Sequence, residues 1–128
     1  MPASQVLPVV RRYHEGWTSK NYEQAINLLA VALKVEVPIN DYPTAESFAQ
    51  ALRTFGDLVT KVDLLSAMSH GDEAILIYDM QVEQLGTLRI AEHFTVTDGK
   101  ITRLRQIHDT AQLRAASAAL TVTEEETQ

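Results

Sequence analysis

Hydrophobic and polar positions change period near the middle of the chain, from helical spacing before about residue 56 to alternation after about residue 60. Over residues 7–18, Val9, Val10, Tyr13 and Trp17 fall on one helical stripe, with Arg11, Arg12 and Glu15 on the outer side. Pro8 fits such a helix only in its first turn. Asn21 followed three residues later by Gln24 predicts the cap of a second helix, which buries Ala25, Ile26 and Leu29. Alternation over residues 33–37 predicts a short strand ended by Pro38, and Asn40-Asp41-Tyr42-Pro43 reads as a loop. Thr44 caps a third helix whose apolar face is Phe48, Ala51, Leu52 and Phe55 and which stops near Gly56.

Strands are predicted over residues 60–69, 74–84, 85–96 and 100–108. Asp98-Gly99 is the sharpest signal among them, because a two-residue hairpin turn needs positive φ, which glycine adopts without steric cost. Counting outward from that turn places Glu92, Phe94 and Val96 on one face and His93 and Thr95 on the other. On the last strand Thr102, Leu104, Gln106 and His108 alternate with Ile101, Arg103, Arg105 and Ile107. Tyr78, Met80 and Val82 share a face, as do Ile75, Ile77 and Asp79. Asp109 caps a last helical turn with Gln112 at the capping-box position. The order of elements predicts an α+β domain with its helices on one face of an antiparallel sheet. Because both sheet faces carry apolar groups, the second face is expected to meet another copy of the chain, with Ile75, Ile77, Ile101 and Ile107 beside Arg103 and Arg105 in a homodimer interface.

Composition narrows the function. With 128 residues, 45% of them hydrophobic and 22% charged, the chain makes one domain over residues 1–115, followed by a mobile acidic tail over 116–128. A net charge of −6 argues against nucleic acid as a partner. The absence of cysteine excludes disulfides, thiolate metal sites and cysteine nucleophiles. Met-Pro-Ala-Ser at the start lacks a signal pattern, and no apolar run approaches membrane-spanning length, so the expectation is a soluble cytoplasmic protein.

Glu92 is the principal chemical candidate. Leu88, Ile90, Phe94 and Val96 share its face, so its carboxylate is expected to be desolvated and to hold its proton to a higher pH, as a general acid or base requires. The competing reading is a structural hydrogen bond to Tyr13 or an internal water, or an ion pair at a pocket mouth. His108, on the face of Leu104 and Gln106, has a pKa suited to proton transfer or is a hydrogen-bonded core residue. Asp109 orients it, acts as a base, or simply caps the helical turn. Tyr13, Trp17, Tyr78 and Met80 are pocket wall and core, His14 and His93 lie on outer surfaces, and His70 sits in a turn. The register brings Tyr13, Trp17, Tyr78, Met80, Glu92, Phe94, Gln106 and His108 to one cavity. No metal-ligand spacing and no nucleophile motif emerge.

The segments VVRRYHEGW at 9–17 and EHFTVTDGKITRLRQIHD at 92–109 resemble the nuclear transport factor 2-like superfamily, in particular its SnoaL-like polyketide-cyclase and ketosteroid-isomerase branches, over about residues 9–113. The resemblance implies a cone, a curved antiparallel sheet wrapped around three N-terminal helices (a cystatin-like α+β roll) with an internal pocket, and a dimer through the outer sheet face. Against the ketosteroid isomerases, Tyr13 matches the oxyanion-hole tyrosine and Glu92 the protonated second donor. The matching position of the general base is Val37, which moves no proton, so ketosteroid isomerisation is not expected. The superfamily also hosts cyclases, dehydratases, epoxide hydrolases and non-enzymes, and fold alone does not choose among them.

Two readings follow. In the first, the chain is a small cofactor-independent enzyme that uses general acid–base chemistry on a hydrophobic small molecule in an internal pocket. Glu92, Tyr13 and His108 are then catalytic, and Trp17, Tyr78, Met80, Phe94 and Gln106 bind substrate, with neither cofactor nor metal. In the second, it is a non-catalytic small-ligand-binding or protein-interaction module of the same fold.

Overall fold

The computed structural model describes residues 5–115. Helices α1 (Val6–Thr18), α2 (Tyr22–Ile26) and α3 (Ala45–Gly56) precede or flank strand β1 (Leu29–Glu36), and β2 (Val59–His70), β3 (Glu73–Val82), β4 (Gly86–Thr97) and β5 (Lys100–Ile107) follow in succession. The five strands form one curved, unclosed sheet in the order β1-β5-β4-β3-β2. The four consecutive strands pair antiparallel, as the sequence predicts. β1 adds to the β5 edge as a parallel partner, reached through the helices rather than by a hairpin.

Local signals account for most boundaries. The Thr44 side chain accepts from the Ser47 amide at 3.0 Å while the Ser47 hydroxyl accepts from the Thr44 amide at 3.1 Å, a closed capping box for α3. Asn21 caps α2 through the Gln24 amide at 3.4 Å. α2 is shorter than the sequence suggests. Leu29 leaves it for β1, because the Leu28 carbonyl accepts from the Ile101 amide at 2.8 Å and Leu29 pairs with Ile101. β1 therefore begins four residues before the alternation at residue 33 becomes visible. Lys20 ends α1 with φ +68, and its ammonium donates to the Val59 carbonyl at 2.7 Å and to the last-turn carbonyl of Gly56, tying the end of α3 to the end of α1.

The hairpin between β4 and β5 turns at Asp98 and Gly99 with φ +51 and +78, the geometry the sequence calls for. One residue inside it the register slips: Thr95 faces Arg103, but Val96 faces Ile101. Thr102 is the extra residue of a bulge, and its hydroxyl donates to the Thr95 carbonyl at 3.2 Å. The slip turns Ile101 into the core, where it is fully buried, and overturns its assignment to the outer face. Ile75, Ile77 and Ile107 do lie outside, Ile107 with 69% of its surface exposed. Arg103 is exposed, and Arg105 is half-buried beside Glu36. On the concave side α1 packs across the strands, and Val10, Tyr13, Leu76, Ile90, Phe94 and Leu104 form the centre of the core. Asp109 Oδ1 accepts from the Ala111 amide at 2.9 Å and so caps the helical turn at 111–115, while Gln112 reaches the Leu85 carbonyl rather than the cap. The acidic tail predicted over 116–128 lies outside the described residues.

Candidate active site

Two chambers open on the concave side. The inner one, of about 60 Å³, is walled by Tyr13 and Trp17 of α1, Phe55 and Gly56 of α3, and Tyr78, Glu92 and Gln106 of the sheet. The outer one, of about 130 Å³, is lined by Val37, Tyr42, Phe48, Leu88, His108 and Leu113 among others. Leu52, Phe55, Met80 and Gln106 border both and form the neck between them.

Strand pairing sets the polar end of the inner chamber. Glu92 and Gln106 are direct cross-strand partners on β4 and β5, and Leu76, one residue before Ile77, faces Glu92 from β3. The Gln106 amide donates to Glu92 Oε2 at 2.7 Å and the Tyr78 hydroxyl to Oε1 at 3.3 Å. Both bonds favour the carboxylate. Burial outweighs them: Glu92 is 1% exposed, and the loss of water raises its carboxyl to about 7. Tyr13 stands opposite with its hydroxyl buried and without a hydrogen-bond partner among the described residues. Burial, and then the Glu92 charge, push both Tyr13 and Tyr78 well above the usual phenol range, so each is a neutral donor.

The remaining sequence-predicted residues divide between the chambers and the core. Trp17, Tyr78, Met80 and Gln106 do line the cavity. Phe94 does not: fully buried, it packs edge-on against Tyr13 with ring centroids 5.7 Å apart and fixes that ring from behind. His108 lines only the outer chamber, with Nδ1 3.0 Å from the Asp109 carbonyl, and so stands apart from Glu92. His14, which the helical stripe places on the surface, is instead buried. It lies 4.9 Å from the Tyr78 ring and 5.6 Å from Trp17 between centroids, and burial lowers its imidazole to about 4. The curved sheet embraces a wider arc of α1 than one amphipathic stripe, which is why His14 is covered. His93 is partly covered on the outer face, 2.8 Å from Glu73. The α3 residues Leu52 and Phe55 are legible in the sequence as an apolar face, but not as the constriction that divides the cavity.

Val37, the position that the family resemblance assigns to a general base, faces the outer chamber. That chamber therefore offers an apolar wall where a base would stand. Among the described residues, no three of His, Asp or Glu are grouped to hold a metal ion, and no helix is long and apolar enough to cross a membrane.

Comparison with known proteins agrees with this architecture. A protein of Kribbella flavida DSM 17836 superposes with a TM-score of 0.83 at 29% identity, over 90% of this chain and 95% of that one. An NTF2-like protein of unknown function from Cytophaga hutchinsonii ATCC 33406 gives 0.74 at 18% identity over 82% and 90% of the two chains. An LEH-like epoxide hydrolase of M. tuberculosis gives 0.72 at 18% identity over 94% and 98%. The latter two share the fold. Among curated proteins, none matches the sequence at a significant level. The family profile of the SnoaL-like domain matches residues 10–104, most of the described chain, and with the cone-like sheet and its internal chambers this places the protein in the SnoaL-like family of NTF2-like folds.

Proposed function

We propose that the protein is a cofactor-independent enzyme that moves a proton on a small, hydrophobic, oxygen-bearing molecule. One observation carries this reading: a carboxyl group buried without a cationic partner among the described residues, held near its neutral-pH midpoint, opposite a buried hydroxyl that likewise has no partner there. A structural carboxylate in a core is normally paired, because an unpaired buried charge costs on the order of several kcal/mol. Glu92 is instead held by two neutral donors and faces open space. In its ionised form it accepts a proton from a substrate C–H or O–H; in its acid form it returns it. Tyr13 donates to the oxygen on which negative charge develops, and because its ring is fixed by Phe94, no reorganisation is needed as the charge forms. The outer chamber takes the apolar body of the substrate.

The test is the exchange of α-protons of a small ketone such as acetophenone for solvent deuterium, followed by NMR. Glu92→Gln keeps the shape and hydrogen bonds but removes the proton, and is expected to abolish exchange while ketone binding persists. Exchange that survives unchanged would reduce Glu92 to a structural residue. The second reading, a non-catalytic ligand-binding module, is favoured by the apolar Val37 wall; it is upheld if the ketone binds and neither the natural chain nor the variant exchanges its protons.

A further inference from the structure

Gln106 occupies the neck, bordering both chambers, and it is the one polar side chain that does so among the described residues. Its Nε2 is committed to Glu92 Oε2 at 2.7 Å. The two ends of a carboxamide are chemically opposite: one donates and the other accepts. Whichever end Glu92 takes, the other end is left for a ligand at the neck. An ionised carboxylate can only accept, so it takes the N–H end and leaves the amide oxygen. A protonated carboxyl has an O–H to donate at Oε2, and the favourable partner for it is the amide oxygen. In that state Oε1 still accepts from Tyr78, as it does in the ionised state.

Resting on the reading of the chambers as a ligand site, we infer that Gln106 is a proton-controlled specificity residue: its amide turns over when Glu92 is protonated, so that carbonyl compounds bind more tightly in the acid state than in the ionised one, while alcohols bind alike in both. A ketone oxygen only accepts. Against ionised Glu92 it would meet the amide oxygen, two lone pairs face to face without a proton between them. A hydroxyl donates or accepts, and pairs with either end of the amide.

The groups around Glu92 leave it as the titrating member near neutrality. Tyr13 of α1 and Tyr78 of β3 stay protonated far above neutral pH, and His14, packed beside the Tyr78 ring, stays neutral down to about 4. The Glu92 carboxyl itself is raised to about 7. Among the described residues, no lysine or arginine lines either chamber. His108 is the one histidine that lines either chamber among the described residues, and it needs its own control.

The experiment compares acetophenone with 1-phenylethanol, a ketone and alcohol of the same skeleton, by NMR titration against the intact chain between about pH 5.5 and pH 8.5. The ketone is expected to lose about tenfold in affinity across that range, while the alcohol holds within about twofold, a difference of the size of one unmade hydrogen bond. In Glu92→Gln and in Gln106→Met the ketone-to-alcohol ratio should become independent of pH, and in His108→Gln the wild-type dependence should remain. Parallel behaviour of ketone and alcohol in the natural chain, or loss of the dependence in His108→Gln, overturns the switch while leaving the site intact. Binding of neither compound at any pH overturns the switch together with the site on which it rests. The main readout uses the natural chain, so it does not depend on any variant folding.

Discussion

Replacing Glu92 by glutamine should make the protein more stable at alkaline pH, and the size of the effect follows from the burial of one carboxyl. A glutamate free in water titrates at 4.5, and in this fold Glu92 titrates at about 7. Between those values the folded chain keeps a proton that the unfolded chain has released, so raising the pH favours unfolding. The loss begins near pH 4.5 and is complete above about 7. At 1.36 kcal/mol per pH unit, the interval from 4.5 to about 7 amounts to about 3 kcal/mol at pH 8. That is a large fraction of the roughly 5–15 kcal/mol that holds a domain of this kind together. Glutamine has the same shape, accepts from Gln106 through its oxygen, and never ionises. Glu92→Gln should therefore match the natural chain within about 1 kcal/mol at pH 4.5 and exceed it by about 3 kcal/mol at pH 8.

His14 tilts the other way. Free histidine titrates at 6.5 and His14 at about 4, so below 6.5 the unfolded chain gains a proton that the fold refuses. Stability from this group is full above 6.5 and is lost as the pH falls towards 4. The two slopes oppose each other between 4.5 and 6.5, and the natural chain should be nearly flat there as far as these groups are concerned. Urea unfolding at intervals from about pH 4.5 to pH 8 separates them. The difference in unfolding free energy between Glu92→Gln and the natural chain isolates the Glu92 titration, because His14 is common to both. A difference that stays constant with pH would refute the reasoning and show that Glu92 titrates alike in the folded and unfolded chains.

Three further outcomes follow from particular contacts. Tyr13→Phe removes a buried hydroxyl that has no partner among the described residues, and should raise stability by about 1 kcal/mol in urea unfolding while weakening ketone exchange by about tenfold or more. Gly16→Ala would normally strengthen a helix, yet here the added Cβ would stand 2.9 Å from the Ala25 backbone nitrogen, so a loss of about 2 kcal/mol or more is expected, read as a lower midpoint of thermal unfolding. The outer sheet face exposes Ile75 and Ile107 beside half-buried Ile77, and we propose that a second copy covers it; sedimentation at micromolar concentration should give twice the 14.3 kDa chain mass, and a species at 14.3 kDa would exclude the dimer.

What the sequence made legible depended on where a turn pinned the strands. Asp98-Gly99 fixes the hairpin, and alternation back along β4 puts Glu92 on the concave face beside its partner Gln106. The placing of that acid and that amide on one face can therefore be anticipated from residue types alone. Ile101 cannot. The bulge at Thr102 has no glycine or proline to mark it, and a threonine in a strand looks the same whether it is paired or extra. Nor can His14 be placed, since its burial comes from the curvature of a sheet that closes around both sides of α1. The one available hint is its three-residue spacing from Trp17, which brings the two rings together edge to face. The split of the cavity is hidden for a similar reason: Leu52 and Phe55 announce a buried helix face, but only the way α3 sits on the fold decides that they border both chambers together with Met80.

The two residues at the inner end are poor choices for stability. A carboxyl without a cation and a hydroxyl without an acceptor each make the folded chain weaker, and close isosteres, Gln and Phe, would remove the penalty at little cost in packing. The supports of the surrounding scaffold differ: the Thr44–Ser47 capping box and the Lys20 contacts to the end of α3 satisfy their polar groups. Two destabilising groups set face to face at the end of a cavity are what a preorganised site for developing charge requires. The donor must be unoccupied before the substrate arrives, and the acid must be held where its proton can leave. Stability gained by Glu92→Gln and by Tyr13→Phe, with ketone exchange lost or weakened in both, is therefore the joint signature to look for. If both variants gain stability and exchange is undiminished, the destabilisation has some other origin and the inner chamber is only a flaw in packing.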